Sequence, residues 1–342
     1  MNFIRPPKWM DSNTILEVIT GSEAYGTASD LSDKDIYGIV IPPKHIIFPD
    51  VIWGFNDKQR EIFDQYQQHH VYRTDSQITY DLNIYNIVRY FYLTAHCNPN
   101  MIDSLFVPEN CVIHQTQPGT HIRQNKRKFL CKKAYHTYIS YGFAQLRKVD
   151  NVKRKPCIVA IRRFETDRGI PHSTKWEECI AAKKDVNAPP YFKDMNEGEW
   201  TEYEDLWQDG TSQTKRFYSQ KCHGSDLKFL SHTARLIDFG EQILEYADLD
   251  VQRPREFCKA IKNNEVSETE VRKIFHEKNS LLTKLYKNSI LPHSPNWDEL
   301  KQVLLDCLEM HYGSLSDCVE QVDKYKDLVR EIQSLVNKRE YL

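Results

Sequence analysis

Residues 18–40 read VITGSEAYGTASDLSDKDIYGIV, and this stretch decides how the chain folds. Its first residues end an apolar, β-branched run that begins near Thr14, which predicts a strand. Gly21 gives the following turn its backbone freedom, and Ser22 is placed to cap a short helix. The chain then returns through Asp33-Lys34-Asp35 into a second apolar run. The stretch therefore predicts a strand, a Gly-Ser turn, a short helix, a loop and a second strand.

The turn and the second strand carry groups that bind phosphate and metal ions. The start of a helix offers backbone N–H groups to a phosphate, and the Ser22 hydroxyl serves equally as a helix cap or a phosphate donor. Residues two apart in a strand share a face, so Asp33 and Asp35 are expected to point the same way. At about 4 Å and an effective dielectric constant near 20, two carboxylates repel by about 4 kcal/mol. The pair therefore indicates a Mg²⁺ or Mn²⁺ site, or else two exposed acids at a strand edge.

The spacing of these residues resembles the signature of the DNA polymerase β-like nucleotidyltransferase superfamily. The matching residues are Gly21, Ser22, Gly26, Ser32, Asp33 and Asp35. That superfamily has a third carboxylate on a later strand, and by resemblance Asp81 takes this role, with Asp75 as the rival. The segment 81–106 resembles one branch, the predicted nucleotidyltransferases associated with RNA repair in bacteria and tailed phages. Similar pieces cover most of the chain outside 151–225; they lie at 141–146, 228–235, 249–253 and 267–271.

The resemblance implies a metal-dependent transfer of a nucleoside monophosphate from an NTP, ATP among them, to an acceptor, with release of pyrophosphate. Asp33, Asp35 and Asp81 are then the catalytic residues and the ligands of Mg²⁺ or Mn²⁺. The residues expected to contact the nucleotide are Gly21, Ser22, Ser32, Lys132, Lys228, His232 and Arg235. An RNA end, a protein hydroxyl and a small molecule all remain open as acceptors. The alternative is a non-catalytic nucleotide- or RNA-binding or sensing module on the same fold.

Two cationic segments each have two interpretations. Residues 123–163 are rich in Lys and Arg, with aromatic residues between them and Asp150 as the only acid. This pattern is typical of triphosphate or RNA contact, and equally of a solvated helix face. Lys228, His232 and Arg235 lie at i, i+4 and i+7, so one helix face can present all three to the cleft or simply to solvent.

Composition narrows the class of protein. The 342 residues are 40% hydrophobic and 27% charged, which is typical of a packed globular protein. The net charge of −2 argues against a protein that coats nucleic acid with its whole surface. Nine scattered cysteines without a Cys-x-x-Cys pair suit reduced thiols. Residues 1–7 contain no long apolar core, so we do not expect a signal peptide there, and no apolar run approaches the roughly 20 residues of a membrane span. We therefore expect a cytoplasmic protein, in the host cytoplasm if phage-encoded, without a membrane partner.

The expected fold class is α/β (α+β), with a polymerase β-type nucleotidyltransferase domain built on a small mixed sheet and a mainly helical C-terminal domain. Strands are predicted at 14–20, 35–41 and 78–85, with another near 69–72. The predicted divisions are 1–115 for the catalytic domain, 116–164 for a basic helix bordering the cleft, 165–225 for an insertion or irregular subdomain, and 226–342 for the helical domain. An apolar stripe from 315 to 336 is expected to pack on the protein or to form a homo-oligomer.

Overall fold

The computed structural model describes residues 6–28, 32–48, 62–72, 79–153, 155–211 and 215–315. Asp75, the rival for the third carboxylate, and the C-terminal apolar stripe beyond Leu315 lie outside these ranges. Five strands are described: β1 (Thr14–Thr20), β2 (Lys34–Val40), β3 (Gln65–Tyr72), β4 (Thr79–Asn86) and β5 (Val112–Gln115).

The helices fall into three groups along the chain. Those that accompany the sheet are α1 (Met10–Asn13), α2 (Gly21–Ala24), α3 (Lys44–Ile47), α4 (Ile87–Ala95), α5 (Pro99–Leu105) and α6 (Gln117–Gln124). The middle group is α7 (Lys133–Lys153), α8 (Pro156–Arg168), α9 (Trp176–Lys183), α10 (Pro190–Lys193), α11 (Glu197–Thr211) and α12 (Lys215–His223). The last group is α13 (Leu227–Tyr246), α14 (Arg255–Lys262), α15 (Glu268–Asn288) and α16 (Trp297–Tyr312).

The strands form one mixed sheet in the order β3-β4-β2-β1-β5. β2 runs parallel to β4, while the other neighbours pair antiparallel. In the parallel pair, Asp35 lies opposite Asp81 and Ile39 lies opposite Tyr85. Because side chains alternate between faces, the face that carries Asp35 at the start of β2 carries Ile39 further along. One face of the sheet is therefore acidic at one end and part of the apolar core at the other.

Side-chain caps explain where several helices begin. The Asn86 and Asn98 side chains accept hydrogen bonds from the backbone N–H groups of Val88 and Asn100, so these residues cap α4 and α5. The Ser267 hydroxyl caps α15 in the same way. The recurrence of apolar residues also predicts one helix from about 120 to 149, and this prediction is wrong, because α6 ends at Gln124 and α7 begins at Lys133. Strand β5 was not predicted, since its four residues, two apolar and two polar, are too few to show a periodic pattern.

The apolar core joins the sheet to helices from distant parts of the chain. Ile39 of β2, Tyr90 of α4 and Tyr138 of α7 belong to one buried cluster with Phe239 of α13 and Cys307 of α16. The mixed sheet and the helical C-terminal region that the sequence predicts are thus both confirmed. The boundaries proposed at 115 and 226 stay a prediction, and the core runs across both of them.

Four helices lie in the described residues of 165–225, which corrects the expectation of an irregular subdomain, while the alternative of an insertion stays a prediction. Helices α9 to α12 share a buried cluster with α8 that includes Ile161, Trp200, Tyr203 and Trp207. Buried aromatic rings stabilise this segment, because each ring removes a large apolar area from water. Within the described residues, no helix combines the length and the apolar character that crossing a lipid bilayer requires.

Candidate functional site

A cleft of about 880 Å³ lies between the sheet and the helical part of the chain. Its floor is the turn after β1 together with the starts of β2 and β4. Its other walls come from α13, from α14 and from residues of the 156–223 segment. The predicted site residues that line it are Gly21, Ser22, Ser32, Asp33, Asp35, Asp81, Lys228, His232 and Arg235. All the predicted site residues except Lys132 therefore meet in this cleft.

The turn after β1 is shaped by close contact with Asp35. Gly21 has a φ of +67°, and a Cβ at this position would overlap Oδ2 of Asp35. Only glycine meets both demands at once, since it lacks a Cβ and tolerates positive φ. Ser22 is not the helix cap that the sequence predicts, because it lies inside the four-residue α2 and Thr20 stands at the N-cap. The Ser22 hydroxyl is therefore not committed to capping α2.

We expect Gly21→Ala to lower the free energy of unfolding by about 1–3 kcal/mol and to disturb the Asp35 carboxylate. Gly169→Ala is the matched control, because Gly169 has a φ of +69° but nothing within 4 Å of its added Cβ. Urea unfolding of the two variants separates the cost of the backbone angle from the overlap with Asp35. If Gly21→Ala is no less stable than Gly169→Ala, the close contact is not a constraint.

Three carboxylates line the cleft at the sheet. Asp35 and Asp81 are neighbours in register on parallel strands, and the Thr79 hydroxyl donates a hydrogen bond to Oδ1 of Asp33. Nδ1 of His69 on β3 lies 3.3 Å from Oδ2 of Asp81. Burial raises the pKa of the Asp35 carboxyl above its ordinary value, and the negative charge of Asp81 raises it further. Asp35 is thus held where its negative charge lacks full compensation from the protein.

The donor set suits a hard divalent cation. Carboxylate oxygens are the ligands that Mg²⁺ and Mn²⁺ prefer, and the repulsion between Asp35 and Asp81 is what a cation would relieve. In the described part of the chain, however, no three His, Cys, Asp or Glu side chains are arranged so that they would hold a metal ion by themselves. A metal at this place would therefore need further oxygen ligands from a bound substrate or from water.

Cations face the carboxylates from the helical side of the cleft. Lys228 at the start of α13 is exposed and close enough to Asp35 to lower the pKa of that carboxyl. Nζ of Lys262 on α14 donates to the backbone oxygen and to the hydroxyl of Thr27, at 2.9 Å each. Arg255 lies against Gly26, where an added Cβ would come within 2.5 Å of its Cδ. The first and last residues of α14 thus both contact the turn after β1.

His232 lies among these cations. Burial lowers its pKa well below the ordinary value, and the positive charges of Arg235, Lys228 and Lys262 lower it further. The imidazole is therefore neutral at pH 7. An anion bound in the cleft would offset the surrounding positive charge and raise this pKa.

Arg235 is engaged in a buried ion pair. Its Nη1 lies 2.6 Å from Oδ2 of Asp103, and both side chains are nearly inaccessible to solvent. The same oxygen accepts a hydrogen bond of 2.9 Å from the Tyr25 hydroxyl, and the guanidinium carbon lies 3.8 Å from the centre of the Tyr25 ring. Arg235 lines the cleft, but its main contacts anchor the residue that follows α2. The sequence prediction of a nucleotide contact misses this structural role.

The structure does not bring Lys132 or the rest of the basic segment to the cleft. Nζ of Lys132 lies over the ring of Tyr286, and the side chain is largely buried. Arg123, Arg127 and Lys128 pair with acids, while Lys126, Lys133 and Lys148 lie over aromatic rings. None of the described residues of this segment lines the cleft.

Several residues that line the cleft were not predicted from the sequence. They are Ser173, Lys175, Ser219, Cys222, His223, Arg255 and Lys262, among others. Neither spacing nor periodicity marks them, because they lie about 150 to 240 residues from the Gly-Ser turn along the chain. Only the packing of the 156–223 segment and of α14 brings them together.

The sheet and the carboxylates of the cleft lie in a part of the chain that is similar to a known protein family. Residues 6–164 match the family model described as RlaP, RNA repair pathway DNA polymerase beta family. The matched segment contains the whole sheet, the Gly-Ser turn and all three cleft carboxylates. The family resemblance and the fold class predicted from the sequence are confirmed over this segment. The similar pieces at 228–271 lie beyond it, so their assignment stays a prediction.

The chain was also compared with curated protein sequences and with solved structures. No curated protein sequence matches the chain. A nucleotidyltransferase-like protein from Exiguobacterium sibiricum, whose crystal structure was determined at 1.90 Å resolution, aligns with 12% identity over 87% of this chain and 74% of its own. The TM-score of that alignment is 0.24, a value on which no structural argument rests.

Proposed function

We propose that the protein is a metal-dependent nucleotidyltransferase that moves a nucleoside monophosphate from an NTP to an acceptor hydroxyl. One observation carries this proposal. The Gly21-Ser22 turn and the carboxylates of Asp33, Asp35 and Asp81 line one cleft, with lysines on the opposite wall. Such a cleft offers backbone N–H groups and cations to phosphates and oxygen ligands to a divalent ion.

Each wall has a role in the proposed reaction. Ser22 and the exposed Lys228 bind the β- and γ-phosphates, while Lys262 holds the turn through Thr27. Asp33, Asp35 and Asp81 would hold Mg²⁺ or Mn²⁺ together with oxygens of the nucleotide. The bound ions would supply charge neutralisation at the phosphates and a lower pKa for the attacking hydroxyl.

In the proposed transfer, one bond forms at the α-phosphorus and one bond breaks. The acceptor oxygen forms a bond to the α-phosphorus while the bond from that phosphorus to the bridging α,β-oxygen breaks. Pyrophosphate leaves with the electron pair of the broken bond, and Lys228 offsets its charge. The hydroxyl proton passes to the Asp81 carboxylate, beside which Nδ1 of His69 lies at 3.3 Å.

Incubation with each of the four labelled NTPs and Mg²⁺ tests the proposal directly. RNA, host protein extract and small-molecule acceptors are offered in parallel, and pyrophosphate release is followed. We expect label transfer that stops on chelation of the metal and in Asp33→Asn. Transfer that persists in Asp33→Asn would rule out this cleft as the catalytic site.

A non-catalytic nucleotide- or RNA-binding module is the second candidate function. It is favoured by the lack of a ready-made three-ligand metal cluster among the described residues. It predicts saturable nucleotide or RNA binding without any release of pyrophosphate. The same incubation therefore separates the two candidates.

The exposed Lys228 provides a prediction about nucleotide binding. Charge-assisted hydrogen bonds contribute about 1.5–3 kcal/mol, so Lys228→Gln should raise the KM for the NTP by about 10-fold or more. Stability should change little because the side chain is exposed. Lys259→Gln on α14 is the control, since Lys259 pairs with the exposed Glu256 and does not line the cleft. Equal KM values for the two variants would contradict the assigned role of Lys228.

A further inference from the structure

The charges that line the cleft are divided between its walls. The acidic lining residues among those described are Asp33, Asp35 and Asp81, which all belong to the sheet side. The lysines and arginines all come from the helical part of the chain, and they are Lys175, Lys228, Arg235, Arg255 and Lys262. A single bound NTP accounts for the cations near the turn. It does not account for Lys175, which lies on a different wall.

That wall, which we call the insertion wall, consists of Ser173, Lys175, Ser219, Cys222 and His223. It belongs to the 156–223 segment, which has its own aromatic core and lies outside the family match for most of its length. Lys175 and His223 are exposed, and the wall contains no acidic residue. Its polar and cationic surface therefore suits an anionic ligand.

The insertion wall has two parts, one with Ser173 and Lys175 and the other with Ser219, Cys222 and His223. A buried ion pair connects the two parts. Nζ of Lys221 lies 2.6 Å from Oε1 of Glu165, and both side chains are fully buried. Lys221 also donates to the backbone oxygen of Thr174. Thr174 lies between Ser173 and Lys175, and Lys221 directly precedes Cys222. The buried side chain of Lys221 thus fixes the positions of both parts of the wall.

Further contacts brace this ion pair. The Tyr203 hydroxyl donates to Oε1 of Glu165 at 2.7 Å, and Nδ1 of His172 lies 2.9 Å from Oε2 of the same carboxylate. The Ser219 hydroxyl accepts a hydrogen bond from the backbone N–H of Leu227 at 3.1 Å, which links the wall to the start of α13. A buried charge pair is costly to desolvate and retains its place only where its geometry is well satisfied. The insertion wall is therefore a preorganised surface.

The other cations of the cleft already have partners. Arg235 pairs with Asp103, Lys262 binds Thr27, and Nε of Arg255 donates to Glu256 at 2.8 Å. Lys228 faces Asp35 beside the turn, where the triphosphate is expected. Lys175 and His223 are exposed on the insertion wall, where they can meet a second anionic group.

We propose that the insertion wall binds the acceptor, and that the acceptor carries a phosphate close to its attacking hydroxyl. This inference rests on the proposed function and names the substrate class of the same site. The end of a polynucleotide and a mononucleotide share this chemistry. Lys175 and His223 hold the acceptor phosphate, which places the neighbouring hydroxyl toward the carboxylates of the sheet.

Binding of the acceptor is measured without catalysis, so that its failure is distinct from a failure of nucleotidyl transfer. A fluorescent oligoribonucleotide with a free 3′ hydroxyl is titrated with the protein, and anisotropy is recorded over a range of salt concentrations. An unlabelled nucleoside monophosphate and inorganic phosphate serve as competitors. A non-hydrolysable NTP analogue is titrated separately by calorimetry.

We expect Lys175→Gln to weaken oligonucleotide binding by about 10-fold and to reduce its salt slope by about one, with NTP binding unchanged within about two-fold. Lys184→Gln, on the same segment but outside the cleft, should bind like the unmodified protein. Competition by the mononucleotide as strong as by the oligonucleotide would assign the wall to a small phosphorylated acceptor; weak competition would assign it to a polynucleotide end. The proposal is overturned if neither ligand binds, or if Lys175→Gln binds them like Lys184→Gln. It is also overturned if Lys175→Gln weakens the NTP as much as the acceptor.

Discussion

Asp35→Asn is expected to lower the rate of nucleotidyl transfer by about 10³-fold or more, because loss of several kcal/mol of metal-based stabilisation corresponds to a factor of this size. Asp35 contacts the turn, the neighbouring strand and the charged residues of the cleft. It lies against Gly21, opposite Asp81 in the parallel register and near Lys228. Initial rates of labelled NMP transfer at saturating Mg²⁺ measure the effect.

The substitution should not harm the fold. Burial and the charge of Asp81 both raise the pKa of Asp35, so an uncharged amide of the same shape removes an unfavourable charge. We therefore expect Asp35→Asn to be as stable as the unmodified protein or slightly more stable. Asp64→Asn is the control, since Asp64 is exposed and does not line the cleft. An Asp35→Asn protein that keeps the rate of the Asp64→Asn control would remove Asp35 from the reaction.

Arg235→Met is expected to lower the free energy of unfolding by about 3–5 kcal/mol, because it leaves the Asp103 carboxylate buried without its cation. Asp103 is almost fully buried and also accepts hydrogen bonds from the hydroxyls of Tyr25 and Tyr138. These neutral hydroxyl groups do not replace the positive charge of the Arg235 guanidinium, whose Nη1 lies 2.6 Å from Oδ2 of Asp103. Urea denaturation followed by circular dichroism measures the loss.

Two further variants show whether burial is the cause. Arg127→Gln breaks an exposed pair with Asp248 and should change the stability little, because solvent screens the pair. Asp103→Asn combined with Arg235→Met should lose much less stability than the sum of the two single changes, because no charge is then left buried. Additive losses would show that the two side chains act independently.

Arg235 also connects stability to the site. Its guanidinium covers the ring of Tyr25, which directly follows α2, so Arg235 connects α13 to the turn that contains Gly21 and Ser22. The loss of Arg235 should therefore also disturb the cleft. This is a role that the i, i+4, i+7 spacing with Lys228 and His232 did not reveal.

Local chemistry made much of the fold predictable. Asparagine and serine caps, the Asn98-Pro99 stop and the alternation of apolar residues in β1 and β2 act over a few residues. Where local signals are weak, prediction failed. The break between α6 and α7 has no proline or glycine to mark it, and β5 is held by pairing with β1 rather than by its own pattern.

The sequence by itself determined the Gly-Ser turn and the Asp-x-Asp strand, because strand alternation and motif spacing are properties of neighbouring residues. Asp81 was indicated by the family resemblance. Only the tertiary structure decided that Lys132 faces Tyr286, that Arg235 pairs with Asp103, and that Lys175, His223 and Lys262 enter the cleft. The physical reason is that burial and charge pairing depend on which distant segments share a core. No local pattern encodes that packing.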